Sequence, residues 1–152
     1  MIDIFMGLYR WLSNFEEVEI QYNNSVFPTT EHAYQAQKND DPGWLAICSC
    51  TNTSPGEIKR LSRSIEVRDN WFDINFGIML DLQRIKFSKE PYRSMLIGTG
   101  TLELIEGNHW GDLYWGIDLV TRIGQNQLGK ILMKVRTELK AEDSNKEGES
   151  ND

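Results

Sequence analysis

Apolar and polar residues alternate from Val18 to Tyr22, in VEIQY, and then meet the pair Asn23-Asn24 and a second short apolar run, VF. Period-two alternation on either side of a two-residue Asn turn predicts a β-hairpin. Further along, the period lengthens. In SPGEIKRLSRSI, Ser54 suits an N-cap, Pro55 the first helical turn and Glu57 the far side of a capping box. Ile58, Leu61 and Ile65 then recur at helical spacing, and Trp71, Ile74, Ile78, Leu82 and Ile85 give a longer amphipathic stripe running to Phe87. A short helix is expected after Pro91, stopping at Gly98. LELIE predicts a short strand, and another is expected around Tyr114 and Trp115, beside the glycine-rich loop GNHWGDLYWG. After the polar loop GQNQLG, Leu128, Ile131, Leu132, Val135 and Leu139 mark the cleanest helical stripe in the chain. The sum is one α+β domain over residues 1–139, a small sheet surrounded by helices.

One helix does not fit the pattern. In FPTTEHAYQAQK, Thr29 or Thr30 offers an N-cap and Glu31 stands where a helix dipole favours an acid. The helix that follows has almost no large apolar side chain with which to dock. Glu31, Tyr34, Gln35 and Lys38 fall at i, i+3, i+4 and i+7, so they share one face. That face reads either as solvated surface or as a carboxylate and an amine presented together to a ligand. A carboxylate moves protons or steers a water, and an amine of lowered pKa attacks a sugar carbon. His32 is expected to be a packed, hydrogen-bonded residue rather than a base.

Composition narrows the class. The chain has 152 residues, 39% hydrophobic and 11% aromatic, enough for one domain with a core. The formal charge of −7 is uneven: residues 138–152 hold six acids and two bases, so −4 belongs to that end. Residues 140–152 are therefore expected to form an acidic, disordered tail. The mildly acidic body has no global field for nucleic acid, so any such contact needs a local patch. Lys59, Arg60, Arg63 and Arg68 are the place to look for phosphate contacts. No segment reads as a signal peptide or a membrane span, and Cys48 and Cys50 read as reduced thiols, so a cytoplasmic protein without membrane contact is expected. Neither a metal nor a cofactor has a convincing ligand set.

Three further stretches carry candidate chemistry. NHWGDLYWG sets Trp110, Tyr114 and Trp115 around Asp112, either a stacking wall beside a polar anchor or an aromatic corner in which Asp112 caps a turn. Ser13, Asn14 and Phe15 form SNF, which serves a phosphate, a base edge or simply a turn. GQNQLG can aim backbone N–H groups at an anion, but it carries no nucleotide fingerprint.

Read in order, LSNF, FPTTEHAYQAQK, SPGEIKRLSRSIEVRDNW, LELIEGNHWGDLYWG and GQNQLGKILMKVR resemble the YbiA-like family, also called NADAR, across most of residues 5–138. The resemblance implies an α+β fold with a single active-site cleft and N-glycosidase activity on a ribosyl C–N bond, without cofactor. By motif it implies Glu31 and Lys38 as the catalytic pair and Asp112 as a third polar group. Trp110, Trp115 and Phe15 become cleft walls, and Ser13, Asn14 and Asn126 contacts to phosphate or ribose, with Tyr34 and Gln35 beside the pair. Two substrates follow from the family: ADP-ribosylated guanine in DNA, toward which the sequence leans, and phosphoribosylated intermediates of riboflavin synthesis. A module that binds ADP-ribose or NAD without chemistry is the competing class. GLYRW stands where a glycine-containing run often precedes LSNF, and IDLVTRI replaces a glycine-rich segment before GQNQLG, so substrate size is open. If Lys38 is a nucleophile, desolvation or a neighbouring cation must lower its pKa.

Overall fold

The structure, a computed structural model, describes residues 1–150. The chain forms two units, one from Arg10 to Lys86, the other from Met1–Tyr9 together with the chain from Phe87 onward.

The first unit opens with the predicted hairpin. Strands β1 (Glu17–Tyr22) and β2 (Ser25–Thr29) pair antiparallel, with Ile20 opposite Phe27 and both side chains buried. Asn23 and Asn24 take φ of 48° and 64°, the left-handed pair that a tight two-residue hairpin turn requires. Helix α1 (Thr30–Ala36) follows at once. Thr29 caps it, its hydroxyl accepting the His32 N–H at 3.1 Å. Helix α2 (Pro42–Cys48) is capped by Asp41, an Asp-Pro start that the hydrophobic pattern did not reveal. Helix α3 (Pro55–Leu61) begins as expected, with Ser54 accepting the Glu57 N–H at 3.1 Å. Helix α4 (Trp71–Lys86) closes the unit.

Helix α1 is the hub: β1, β2, α2, α3 and α4 all contact it. Every one of its seven residues is buried, so its polar side chains are not a solvated face. The buried stripe of α4 also differs from the expected one. Trp71, Asn75, Met79, Leu82, Gln83 and Lys86 are buried, whereas Ile74, Ile78 and Ile85 are only half-buried. The apolar pattern misplaces the stripe because three of its members are polar.

The second unit contains helix α5 (Tyr92–Gly98), β3 (Gly107–Asn108), β4 (Ile117–Asp118) and helix α6 (Gln127–Ser150). LELIE forms no strand of its own. Leu104 makes an isolated parallel bridge with Ile2, fixed by Ile2 N–H to Glu103 O and Ile105 N–H to Ile2 O, both 2.8 Å. The strand expected at Tyr114 and Trp115 lies further along, where β4 pairs parallel with β3. Gly116 precedes it because a Cβ there would stand 2.0 Å from the Glu106 carbonyl oxygen. The apolar stripe of α6 is buried as read, from Leu128 to Leu139.

The helix does not end there. It continues through the charged segment to Ser150, in place of the disorder that composition suggested; residues 151 and 152 lie outside the described residues. The Arg93 guanidinium pairs with Asp143, and the Lys140 amine donates to the Gly100 carbonyl, giving the charged turns partners within the unit. Lys, Glu and Ala are also good helix formers.

Candidate functional site

Helix α1 gathers the predicted carboxylate and amine. Glu31 is 6% exposed, and Gln35, one turn on, donates from its amide to Glu31 Oε1 at 2.8 Å. This charge-assisted bond steadies the carboxylate. Gln35 thus stands beside Glu31 as its orienter, with its own backbone carbonyl accepting the Trp44 indole N–H at 2.9 Å. Tyr34 is buried against Trp71, ring centroids 5.1 Å apart.

Lys38 lies just past the helix, half-buried, with its amine 5.8 Å from the Tyr34 ring centroid and 5.9 Å from that of Trp71. Burial lowers the Lys38 pKa from the ordinary lysine value; the Glu31 carboxylate pulls it back up, and the Lys59 ammonium pushes it down again. Both influences the sequence called for are therefore present. Arg68 secures the turn that carries Lys38: its backbone N–H donates to Lys38 O at 2.9 Å and its guanidinium to Gln37 O at 2.7 Å.

His32 is held as expected. Its Nε2 lies 2.6 Å from the Thr53 carbonyl and its Nδ1 2.7 Å from the Thr29 hydroxyl. A carbonyl only accepts, so the proton sits on Nε2 and the ring is a fixed neutral tautomer. Burial lowers its pKa, against the Thr53 carbonyl.

Ser13, Asn14 and Phe15 form the turn before β1. The Ser13 hydroxyl accepts the Phe15 N–H at 3.0 Å, and the Asn14 carbonyl accepts the Glu31 N–H at 3.0 Å, tying this turn to the start of α1. From α4, Gln83 donates to Asn14 Oδ1 at 2.6 Å and Lys86 to Ser13 O at 2.8 Å. The sequence reading missed Asn75, Gln83 and Lys86. Their spacing puts them on the face of Trp71, Met79 and Leu82, the signal that could have found them.

Among the described residues, four buried side-chain oxygens have no hydrogen-bond partner: Thr30 Oγ1 and Gln35 Oε1 on α1, Asn75 Oδ1 and Gln83 Oε1 on α4. Unpaired buried polar atoms cost about 1–3 kcal/mol each, and all four lie on these two helices of the first unit. The basic cluster is partly spent, since Arg60 pairs with Glu57 and Arg68 with Asp40. A shallow depression of about 460 Å³ near Glu17, Glu19, Val26 and Thr51 shares none of the predicted residues.

The other predicted residues belong to the second unit. Asp112 Oδ1 accepts the N–H groups of Tyr114 and Trp115 at 3.2 and 2.9 Å, so Asp112 caps a turn. Asn108 completes that turn, accepting the Asp112 N–H and donating to its carbonyl. Trp115 meets Tyr114 edge to face at 4.8 Å, and Trp110 is 60% exposed.

Asn126 is buried, donating to Leu104 O at 3.0 Å and accepting the Glu106 N–H at 2.9 Å. Both ends of its amide brace backbone. GQNQLG is no anion cradle. The amides of residues 125, 126, 127 and 128 donate to the carbonyls of Leu113, Gly116, Tyr114 and Trp115. Those N–H groups are consumed by the preceding loop.

Helices around a hairpin, with the buried Glu31 carboxylate on one short polar helix and the half-buried Lys38 amine just beyond its end, make up this unit of a small α+β protein. Residues 5–140 match the NADAR domain. The N-glycosidase YbiA of Escherichia coli is 33% identical over 137 residues, covering 88% of this chain and 84% of YbiA. The NMR structure of that YbiA aligns with a TM-score of 0.80 at 32% identity, covering 93% of this chain and 86% of the other. A riboflavin biosynthesis protein of Vibrio vulnificus is 38% identical over 134 residues, 86% of this chain but 36% of the Vibrio protein, of which the chain thus spans about a third. The chain belongs to the NADAR family. Among the described residues no helix is long and apolar enough to cross a membrane, and no cluster of His, Cys, Asp and Glu is suited to a metal ion.

Proposed function

We propose that this protein is an N-glycosidase that hydrolyses a ribosyl C–N bond, with Glu31 and Lys38 as its catalytic pair. The observation that carries the reading is the Lys38 amine, lowered by burial beside a buried carboxylate. As the C–N bond breaks, its electron pair leaves with the base nitrogen, which takes up a proton, and positive charge develops on the ribose. The Glu31 carboxylate, steadied by Gln35, stabilises that charge. The neutral Lys38 amine captures C1′ and gives up a proton to Glu31. Glu31 returns it to the lysine nitrogen as water attacks C1′, and the proton lost by that water replaces the one the leaving base took from solvent. The free sugar and neutral lysine are released. Ser13 and Asn14 contact phosphate or ribose, and Phe15 and Tyr34 supply aromatic surface. Asp112 stays a candidate third group, and Trp110 and Trp115 stacking surfaces.

A small phosphoribosylated heterocycle is the better-supported substrate. Relatives named for riboflavin biosynthesis favour it, and two of the four clustered bases are already paired with carboxylates. ADP-ribosylated guanine in DNA offers the same C1′ chemistry and is the other arm of the test. Mass spectrometry of both substrates after incubation is expected to show release of the base. Lys38→Ala and Glu31→Gln should each cut turnover at least about 10³-fold with melting temperatures near wild type. Wild-type turnover in both variants would sink the assignment, and binding without product would make the protein a binding module.

A further inference from the structure

Lys86 has no part in that chemistry, yet it is fully buried, 0% exposed on the last turn of α4. Removing an ammonium from water costs several kcal/mol, and a residue such as Met would fill the space more cheaply. The contacts of Lys86 suggest what the amine is for. Residues 83 and 86 share a face of α4 and reach two consecutive residues of the turn before β1. Lys86 Nζ donates to Ser13 O at 2.8 Å, and Gln83 donates to Asn14 Oδ1 at 2.6 Å. The Ser13 carbonyl also accepts the Glu16 N–H at 3.2 Å, and the Asn14 carbonyl accepts the Glu31 N–H at 3.0 Å. A turn gripped at two adjacent points is thereby fixed against the first turn of α1, where Glu31 sits.

We propose that Lys86 and Gln83 are positioning residues, a two-point clamp from α4 that holds Ser13 and Asn14 in substrate-binding register against the Glu31 end of α1. This rests on the reading that Ser13 and Asn14 contact substrate. Complete burial keeps Lys86 itself from touching substrate, so it acts through the turn. Burial also pushes its pKa down to about 7, against the pull of Glu16. Ammonium and neutral amine both retain an N–H, so the grip does not depend on which form is present.

The test compares wild type with Lys86→Met, Gln83→Leu and the double variant. Steady-state kinetics use the phosphoribosylated heterocycle, and NMR hydrogen exchange follows the Glu31 and Glu16 amides. Each single substitution is expected to raise KM about tenfold with kcat changed less than about threefold, since a lost clamp costs binding before chemistry. The double variant should fall short of the product of the two effects, because both groups grip one turn. Exchange at Glu31 and Glu16 should accelerate while the β1–β2 ladder amides stay protected. A merely structural role lowers the folded fraction, and with it kcat, without moving KM. Unchanged KM in folded variants, or unchanged Glu31 protection, overturns the clamp. Should Lys86→Met not fold, Gln83→Leu carries the same measurements. If the wild type turns over neither substrate, the functional reading has failed, and exchange at Glu31 alone decides the clamp.

Discussion

In the unit built on α5 and α6, the buried polar side chains have their partners. Arg136 donates to Thr99 Oγ1 and Leu102 O, both at 2.8 Å, Asn126 braces two backbone groups, and Asn108 holds the Asp112 turn. In the unit built around α1, by contrast, four buried oxygens are unpaired and two lysines are held below their ordinary pKa. Both units bury polar groups, but among the described residues only the first unit leaves some of them incompletely bonded. Saturated burial of this kind fixes backbone; unsaturated burial keeps bonding capacity that a ligand can use. Burial of a polar residue is therefore a poor guide to function until its bonds are counted.

The sharpest way to break the comparison is to titrate the first unit's buried lysine. The Lys86 pKa of about 7 in the folded chain lies below the ordinary lysine value of 10.5. Between those values the unfolded chain binds more protons, so stability rises with pH there; as pH falls through 7 that contribution is lost. The difference in unfolding free energy between wild type and Lys86→Met should thus climb by about 1.4 kcal/mol per pH unit above neutrality, read from urea melts. A flat difference would mean that the ammonium is better solvated than its burial indicates.

Next in size, Arg136→Met should cost about 1–3 kcal/mol in the same melts, because it removes the two hydrogen bonds that the buried guanidinium gives Thr99 Oγ1 and Leu102 O in the second unit. Turnover per folded molecule should stay at the wild-type value. A large loss of turnover would blur the line between structural and functional burial. The smallest effect is expected from Thr30→Val, which removes an unpaired buried hydroxyl at nearly constant volume. Stability should change by less than about 1 kcal/mol, toward the more stable side. A clear destabilisation would show that the hydroxyl is satisfied after all.

What the sequence revealed is what local chemistry determines. Asn23-Asn24 announces its turn, Ser54-Pro55-Glu57 its helix start, and Leu128 to Leu139 its stripe, because neighbouring residues decide each of them. The Glu31–Lys38 spacing was legible for the same reason, and the NADAR blocks added the assignment. The pairing of Ile2 with Leu104 was not, since no local pattern announces a partner so distant in sequence. Nor was the burial of α1 or the polar stripe of α4. Hydrophobic periodicity assumes that buried faces are apolar, and Asn75, Gln83 and Lys86 violate that assumption together. The GQNQLG amides looked free to bind an anion only because their backbone partners lie in segments that bear no sequence mark of the pairing.

The central place of α1 also ties its formation to the rest of its unit. Seven residues without an apolar stripe do not hold a helix in water, because nucleation is unfavourable and short helices are marginal. The stability of this helix therefore depends on the hairpin and on α2, α3 and α4, which pack against it. A fragment of that unit that ends before α4 is expected to lose α1, read as lost amide protection at residues 33–36.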